Sequence, residues 1–248
     1  MAETLLLRNA DLLCTMQPVG RMTSRAGDDG GREIPGGGLF ARDGVIEAVG
    51  AGDELPDDAD IVLDMQGHVV IPGMVNTHHH LFQNLTRAVP AAQNAPLFGW
   101  LQTLYPIWSH IRPDHIYWST ALGLAELALS GCTTSSDHLY LYPNGARLDD
   151  SMAAAADIGV RFHGTRGSMS IGESGGGLPP DILCWDEADI LADCQRVVLS
   201  GLCTRCASGA SALAVTDAQP MPRAKAEAVA GVYAKWMPVM ARVALPQN

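Results

Sequence analysis

From Val69 onward the chain alternates apolar runs with longer segments whose apolar residues recur at helical spacing. This alternation restricts the fold more than any other feature. "VVIPGMVNT" (69–77) reads as a buried strand. "PLFGWLQTLYPIWSHI" and "RPDHIYWSTALGLAELALSG" read as helices, the second closing on Gly131. "CTTSSDHLYLY" predicts a second strand, "LDDSMAAAADIG" a helix with acids in its first turn, "VRFHGTRGSMS" a third strand and "WDEADILADCQRVVLSG" a further helix. Strand, helix, strand, helix, strand is a βαβ progression, which implies a parallel sheet in an α/β fold. Polar residues gather where each strand ends: His78 and His80, Asp137 and His138, then Thr165, Arg166 and Ser168. In α/β barrels that end of the strands carries the chemistry.

Upstream the texture is different. "TLLLRNADLL", "GGLFARDGVIEAVG" and "DADIVLDMQGHVVIPG" are β-rich, with "RDG" and "QGH" as turn signals. The Gly-rich "TSRAGDDGGREIPGGG" between the first two reads as a surface loop; it lacks the Lys-Ser/Thr ending of a phosphate loop. The expected division is therefore a β segment over residues 1–70, the α/β part over 71–199, and an atypical tail over 200–248. The tail is set apart by composition. Residues 1–199 carry 11 Arg, no Lys and 25 acids, whereas 200–248 carry three Arg, two Lys and two acids.

The whole chain is 47% hydrophobic and 17% charged, as a globular protein should be, and its net charge of −11 argues against nucleic acid or an anionic membrane as partner. No apolar run approaches the ~20 residues of a spanning helix. Six irregularly spaced cysteines do not suggest a disulfide framework, so a reducing cytoplasm is the expected location. Cys203 and Cys206, in "CTRC", have the spacing of half a zinc site, with no second pair or later histidine to complete it.

The chemistry-bearing stretch is "VNTHHHLFQ". Alternate residues of a strand share a side, so His78 and His80 present their imidazoles together while His79 faces away. Two converging imidazoles begin a divalent-metal site, neutral histidine binding zinc through nitrogen at about 2.0–2.1 Å. A catalytic site needs a third protein ligand and an open position.

"VVIPGMVNTHHH" resembles the first-strand signature of the amidohydrolase superfamily, metal-dependent hydrolases built on a (β/α)8 barrel. "RDGVIEAVG" and "DMQGHVVIPG" resemble the small β-sandwich that precedes that barrel. "HHHLFQNLTRAVPAAQNAPLFGWLQTLYPIW", "LALSGCTTSSDHLYLYPNG" and "RFHGTRGSMSIGESGGGLPPD" narrow the resemblance to the 8-oxoguanine deaminase branch, whose neighbours include guanine deaminases and s-triazine hydrolases. The resemblance covers roughly residues 1–198. It implies zinc as the cofactor, His78 and His80 as its first two ligands, and hydrolytic release of ammonia from a purine-like or triazine small molecule. A homo-oligomer is compatible with it.

The resemblance also implies a substrate-binding role for Gln83, Trp100, Tyr105 and Arg166, with Trp108 in the same capping segment. A flat polar heterocycle wants an aromatic face, an amide at its edge and a cation at its oxygen. Each position has a second explanation. Trp100, Leu104 and Trp108 have the spacing of a buried helical stripe, and Pro106 would favour a lid if it broke that helix. Gln83 could turn the loop, and Arg166 could pair with an acid such as Asp137. His138 and His163 match no ligand role and are expected as hydrogen-bonded structural residues.

Members of this superfamily take further ligands from later strands, with a glutamate as proton shuttle. Here all eight histidines lie at or before His163, and the tail has no acid in a recognisable motif. A full barrel needs about 250 residues by itself. The expectation is thus a β-sandwich followed by an incomplete barrel that corresponds to the first half of such an enzyme, truncated or frameshifted after about residue 198. No catalytic proton shuttle is present in it, and the 248 residues alone are expected to be an inactive fragment.

Overall fold

The computed structural model describes residues 3–16 and 33–199. The "CTRC" pair and the tail from residue 200 onward lie outside the described residues. Two compact units divide at Pro72 and Gly73.

The first unit is all β. Its strands are β1 (Thr4–Ala10), β2 (Leu12–Cys14), β3 (Glu33–Ile34), β4 (Gly37–Arg42), β5 (Val45–Gly50), β6 (Ile61–Asp64) and β7 (Val69–Val70). They form a four-stranded sheet in the order β5-β4-β1-β6 and a three-stranded sheet in the order β3-β2-β7. The "RDG" signal makes a tight hairpin in which Asp43 (φ 49°) and Gly44 (φ 78°) are both left-handed, as a two-residue primed turn requires. Ala10, Leu13, Ile34 and Met65 are buried together, with Leu7, Leu39, Val49 and Val70 against them. One correction concerns the Gly-rich stretch: its end is not loop. Glu33–Ile34 pairs antiparallel with β2, and Gly37 and Gly38 already belong to β4. At Gly37 and Gly38 a side chain would strike Ile34 and the Leu7 backbone, so the glycines permit strand packing there.

The second unit carries β8 (Met74–Asn76), α1 (Leu97–Trp108), α2 (Pro113–Leu129), β9 (Cys132–Leu139), α3 (Leu148–Ile158), β10 (Arg161–Arg166) and α4 (Glu187–Leu199). The three strands form a parallel sheet in the order β10-β9-β8, with Arg161–Arg166 in register with Thr134–Leu139. The helices end where their residues dictate. Gly131 (φ 89°) and Gly159 (φ 82°) take left-handed positions after α2 and α3, and the Asp150 carboxylate accepts from the Arg147 N–H at the start of α3.

The expected single strand over 69–77 is broken. Pro72 has no N–H, and the strand splits into β7 in the first unit and β8 in the second. Nor is β8 buried: Met74 and Val75 are 50% and 62% exposed. Among the described residues it pairs on one side only, with β9, so no closed barrel forms. Pro106 also behaves otherwise than a helix breaker, since α1 runs through it to Trp108. It falls in the final turn, where little helix remains to disrupt.

The core of this unit lies between the helices and one face of the sheet. Trp108, Phe82, Leu81, Leu104, Ile116 and Leu124 are fully enclosed, as are Leu139, Leu148 and Phe162 further along. A 3-10 helix, Leu81–Thr86, is clamped against α2 at Gly123. A Cβ there would run into the Asn84 amide and the Leu81 methyl. Gly123→Ala is therefore expected to cost about 1–3 kcal/mol in urea denaturation. An unchanged midpoint would mean that the 3-10 helix moves freely on α2.

Candidate metal centre

Beyond β8 the chain leaves the sheet as Thr77-His78-His79-His80 and enters the 3-10 helix. The Asn76 Oδ1 accepts from the His78 N–H at 3.2 Å, a local turn that starts the histidine run. The rings of His78 and His80 face one another edge to plane, with centroids 5.0 Å apart. The expectation placed them on a strand, whereas β8 ends at Asn76 and the two rings meet in the irregular run beyond it.

The tip of β9 holds this run through three hydrogen bonds of 2.8 Å each. His138 N–H donates to the His79 carbonyl, His80 Nδ1 donates to the His138 carbonyl, and Leu81 N–H donates to Asp137 Oδ1. A carbonyl can only accept, so the second bond puts the neutral ring's proton on Nδ1 and leaves Nε2 with a bare lone pair. Metal-bound histidines have their other nitrogen fixed in this way.

Asp137 is 1% exposed, and burial pushes its carboxyl up to about 7, against the lowering effect of the Leu81 and His138 N–H groups. Its Oδ2 is buried and has no hydrogen-bond partner among the described residues. His138 is exposed, its ring 5.6 Å from that of His80; burial, then the neighbouring His80 and His78, hold its pKa below the usual imidazole value. His163 is exposed as well. Alternation explains it: both lie on the sheet face opposite Asp137, Leu139 and Phe162.

The other sequence-selected residues fall into three groups. Gln83 stays near the histidines; its Nε2 donates to the Tyr140 hydroxyl at 3.4 Å, and Tyr140 stacks edge-on against His80 at 5.4 Å. Burial pushes the Tyr140 phenol up to about 12. Gln83 also lines a cavity of about 420 Å³ with His79, His80, Asn84, Arg87 and Glu126. Trp100, Tyr105 and Trp108 belong to one aromatic cluster, with centroids 5.3 Å and 5.6 Å from Trp108 to the other two. Trp108 is wholly buried and its indole N–H donates to Thr86 Oγ1 at 3.1 Å, so it packs as core. Tyr105 is 7% exposed, and its hydroxyl lies 3.7 Å from the Met169 sulfur.

Arg166 is drawn elsewhere. Its side chain is 5% exposed and pairs with Asp193 of α4 at 3.0 Å, not with Asp137. Its guanidinium stacks on Tyr142 at 4.4 Å and Trp185 at 5.1 Å. Sequence reasoning missed Tyr140 as the link between His80 and Gln83. The signal was the apolar-polar alternation of "DHLYLY", which puts residues 138 and 140 on one side.

A catalytic zinc needs at least three protein ligands and an open position. Among the described residues, no group of three or more His, Cys, Asp or Glu side chains is arranged to hold a metal ion. His78 and His80 bring two imidazoles together there, short of the three protein ligands such a site needs. No helix among the described residues is long and apolar enough to cross a membrane.

The described part of this unit is a three-stranded parallel sheet flanked by helices, with His78 and His80 just beyond its first strand. A sequence profile of the amidohydrolase family matches residues 69–234, and the chain belongs to that family. Among its relatives is 8-oxoguanine deaminase of Pseudomonas aeruginosa, 46% identical over 165 residues, a match covering 65% of this chain and 37% of that protein. Hydroxydechloroatrazine ethylaminohydrolase of Pseudomonas sp. strain ADP is 35% identical over 187 residues, covering 69% and 38%. Of solved structures, a mutant of atrazine chlorohydrolase from Arthrobacter aurescens TC1, complexed with zinc and atraton, superposes with a TM-score of 0.66 at 27% identity, over 78% of this chain and 42% of that one. The chain thus spans well under half the length of these relatives.

Proposed function

We propose that this chain is part of a zinc-dependent aminohydrolase that removes ammonia from a purine-like ring, as its resemblance to 8-oxoguanine deaminase suggests. The observation that carries the reading is the His78–His80 pair with the His80 Nδ1 proton already committed to a backbone carbonyl. Zinc bound at such a pair would supply Lewis acidity to the reaction. The chain's own part is to hold the His80 imidazole oriented, while Gln83 and Tyr140 offer hydrogen-bonding groups beside it to a flat heterocycle. An s-triazine ring is the second reading, favoured by the similarity to the two triazine-directed relatives.

On this reading the described residues offer two metal ligands of the three required, so turnover is not expected from them alone. Titration calorimetry with zinc, comparing the native chain with a His78→Ala/His80→Ala variant, tests the assignment. The native chain is expected to bind zinc weakly and the variant not at all, with no ammonia released from 8-oxoguanine by either. Binding that ignores both histidines would overturn the metal assignment. Stoichiometric tight zinc with ammonia release would overturn the incompleteness.

A further inference from the structure

We propose that Asp137 is a positioning residue for His80. By accepting from the Leu81 N–H, it pins the backbone just after His80 against the β9 tip, so that His80 keeps its Nδ1–H on the His138 carbonyl and leaves its Nε2 outside that bond. The proposal rests on the reading of His80 as a metal ligand.

The geometry is specific. Asp137 and His138 are consecutive at the end of β9, and consecutive strand residues point to opposite faces. The carboxyl reaches from the buried face to Leu81, while the main chain of residue 138 meets His79 and His80. Three bonds from two residues thereby hold three consecutive residues, His79 to Leu81. Loss of the Leu81 bond frees the peptide that joins the ligand to the 3-10 helix, and the Nδ1 bond depends on where that peptide sits.

Stability alone gives no reason for a carboxyl here. Its second oxygen is buried without a hydrogen bond among the described residues, which opposes folding, and the side chain's one contact beyond its own strand is the N–H of the residue following His80. The Asp137 carboxyl keeps Oδ1 as an acceptor whether or not it carries a proton. So does the side-chain amide of Asn, which supplies a conservative variant.

The test is the His80 tautomer, read from imidazole ¹⁵N resonances in the metal-free full-length chain, together with its zinc affinity. The native chain is expected to show His80 as a single Nδ1–H form. Asp137→Ala is expected to shift His80 to a mixture of tautomers and weaken zinc binding about 10–100-fold, the usual effect of losing support behind a ligand. Asp137→Asn is expected to restore both. A purely structural role would lower the melting temperature of Asp137→Ala and leave the tautomer unchanged. A folded Asp137→Ala chain with native tautomer and affinity overturns the proposal, and so does a native chain whose His80 is already a tautomer mixture; the latter needs no variant to fold. If zinc fails to bind the native chain, the metal assignment falls, while a tautomer shift in Asp137→Ala still upholds the clamp.

Discussion

Asp193→Ala is expected to destabilise the chain by about 3–5 kcal/mol in urea denaturation, the cost of stranding one member of a buried ion pair. Asp193 and Arg166 have side chains 3% and 5% exposed, and their charges meet at 3.0 Å. The other carboxylate oxygen receives Arg147 and Arg196, each at 2.8 Å, so one buried anion serves three cations. Burial pushes the Asp193 carboxyl up, but the hydrogen bonds from Arg196 and Arg166 outweigh it and hold the group below the usual carboxylate range. It is therefore ionised at neutral pH. Without it, Arg166 stays charged, because a guanidinium does not give up its proton at any ordinary pH. Its Nη2 already lacks a partner among the described residues, and the stacking on Tyr142 and Trp185 returns only part of the loss. Replacing both partners by apolar residues of similar size should cost much less than Asp193→Ala alone. A loss below about 1 kcal/mol for the single variant would mean that water reaches Arg166.

The second large effect is a fall in stability as pH rises from about 4 to about 7. Asp137 has a folded-state pKa of about 7 against an ordinary value of 3.8, and burial is the main cause. Between those values the folded chain holds a proton that the unfolded chain has released. Its contribution is complete below about pH 4 and is lost as pH rises through 7. Three pKa units at 1.36 kcal/mol each make this a change on the order of 4 kcal/mol. Asp149 has the opposite sign: the Arg196 hydrogen bond lowers its pKa, and with Asp193 it loses stabilising power in acid. Urea titrations of the native chain and Asp137→Asn from pH 4.5 to 8 separate the terms. The difference between the two curves should narrow toward acid and widen toward pH 8, in favour of the variant. Parallel curves would show that the carboxyl is hydrated.

The helices and strands of the second unit were legible because their signals are local. Acids and a glycine stand at the ends of α3, apolar periodicity marks α1, and Pro113 and Gly131 bound α2. The first unit's turns were legible for the same reason, through Asp43 and Gly44. Pairing was not. Whether Val75 is covered or bare depends on what lies beside β8, and three apolar letters look alike in either setting. The closeness of His78 and His80 is local, two residues apart in one short run, whereas the partner of Arg166 lay 27 residues further on, among several equally plausible acids of α4. The acceptor for His80 is still less visible, being 58 residues away and a group that every residue type carries.

That last contact has a consequence for how variation at this site will read out. Since the atom that sets the His80 proton belongs to the peptide unit of residue 138, exchanging the imidazole of His138 for almost any other group leaves it in place. A survey of substitutions would therefore score position 138 as permissive. Proline is the exception, because it would erase the N–H that reaches the His79 carbonyl.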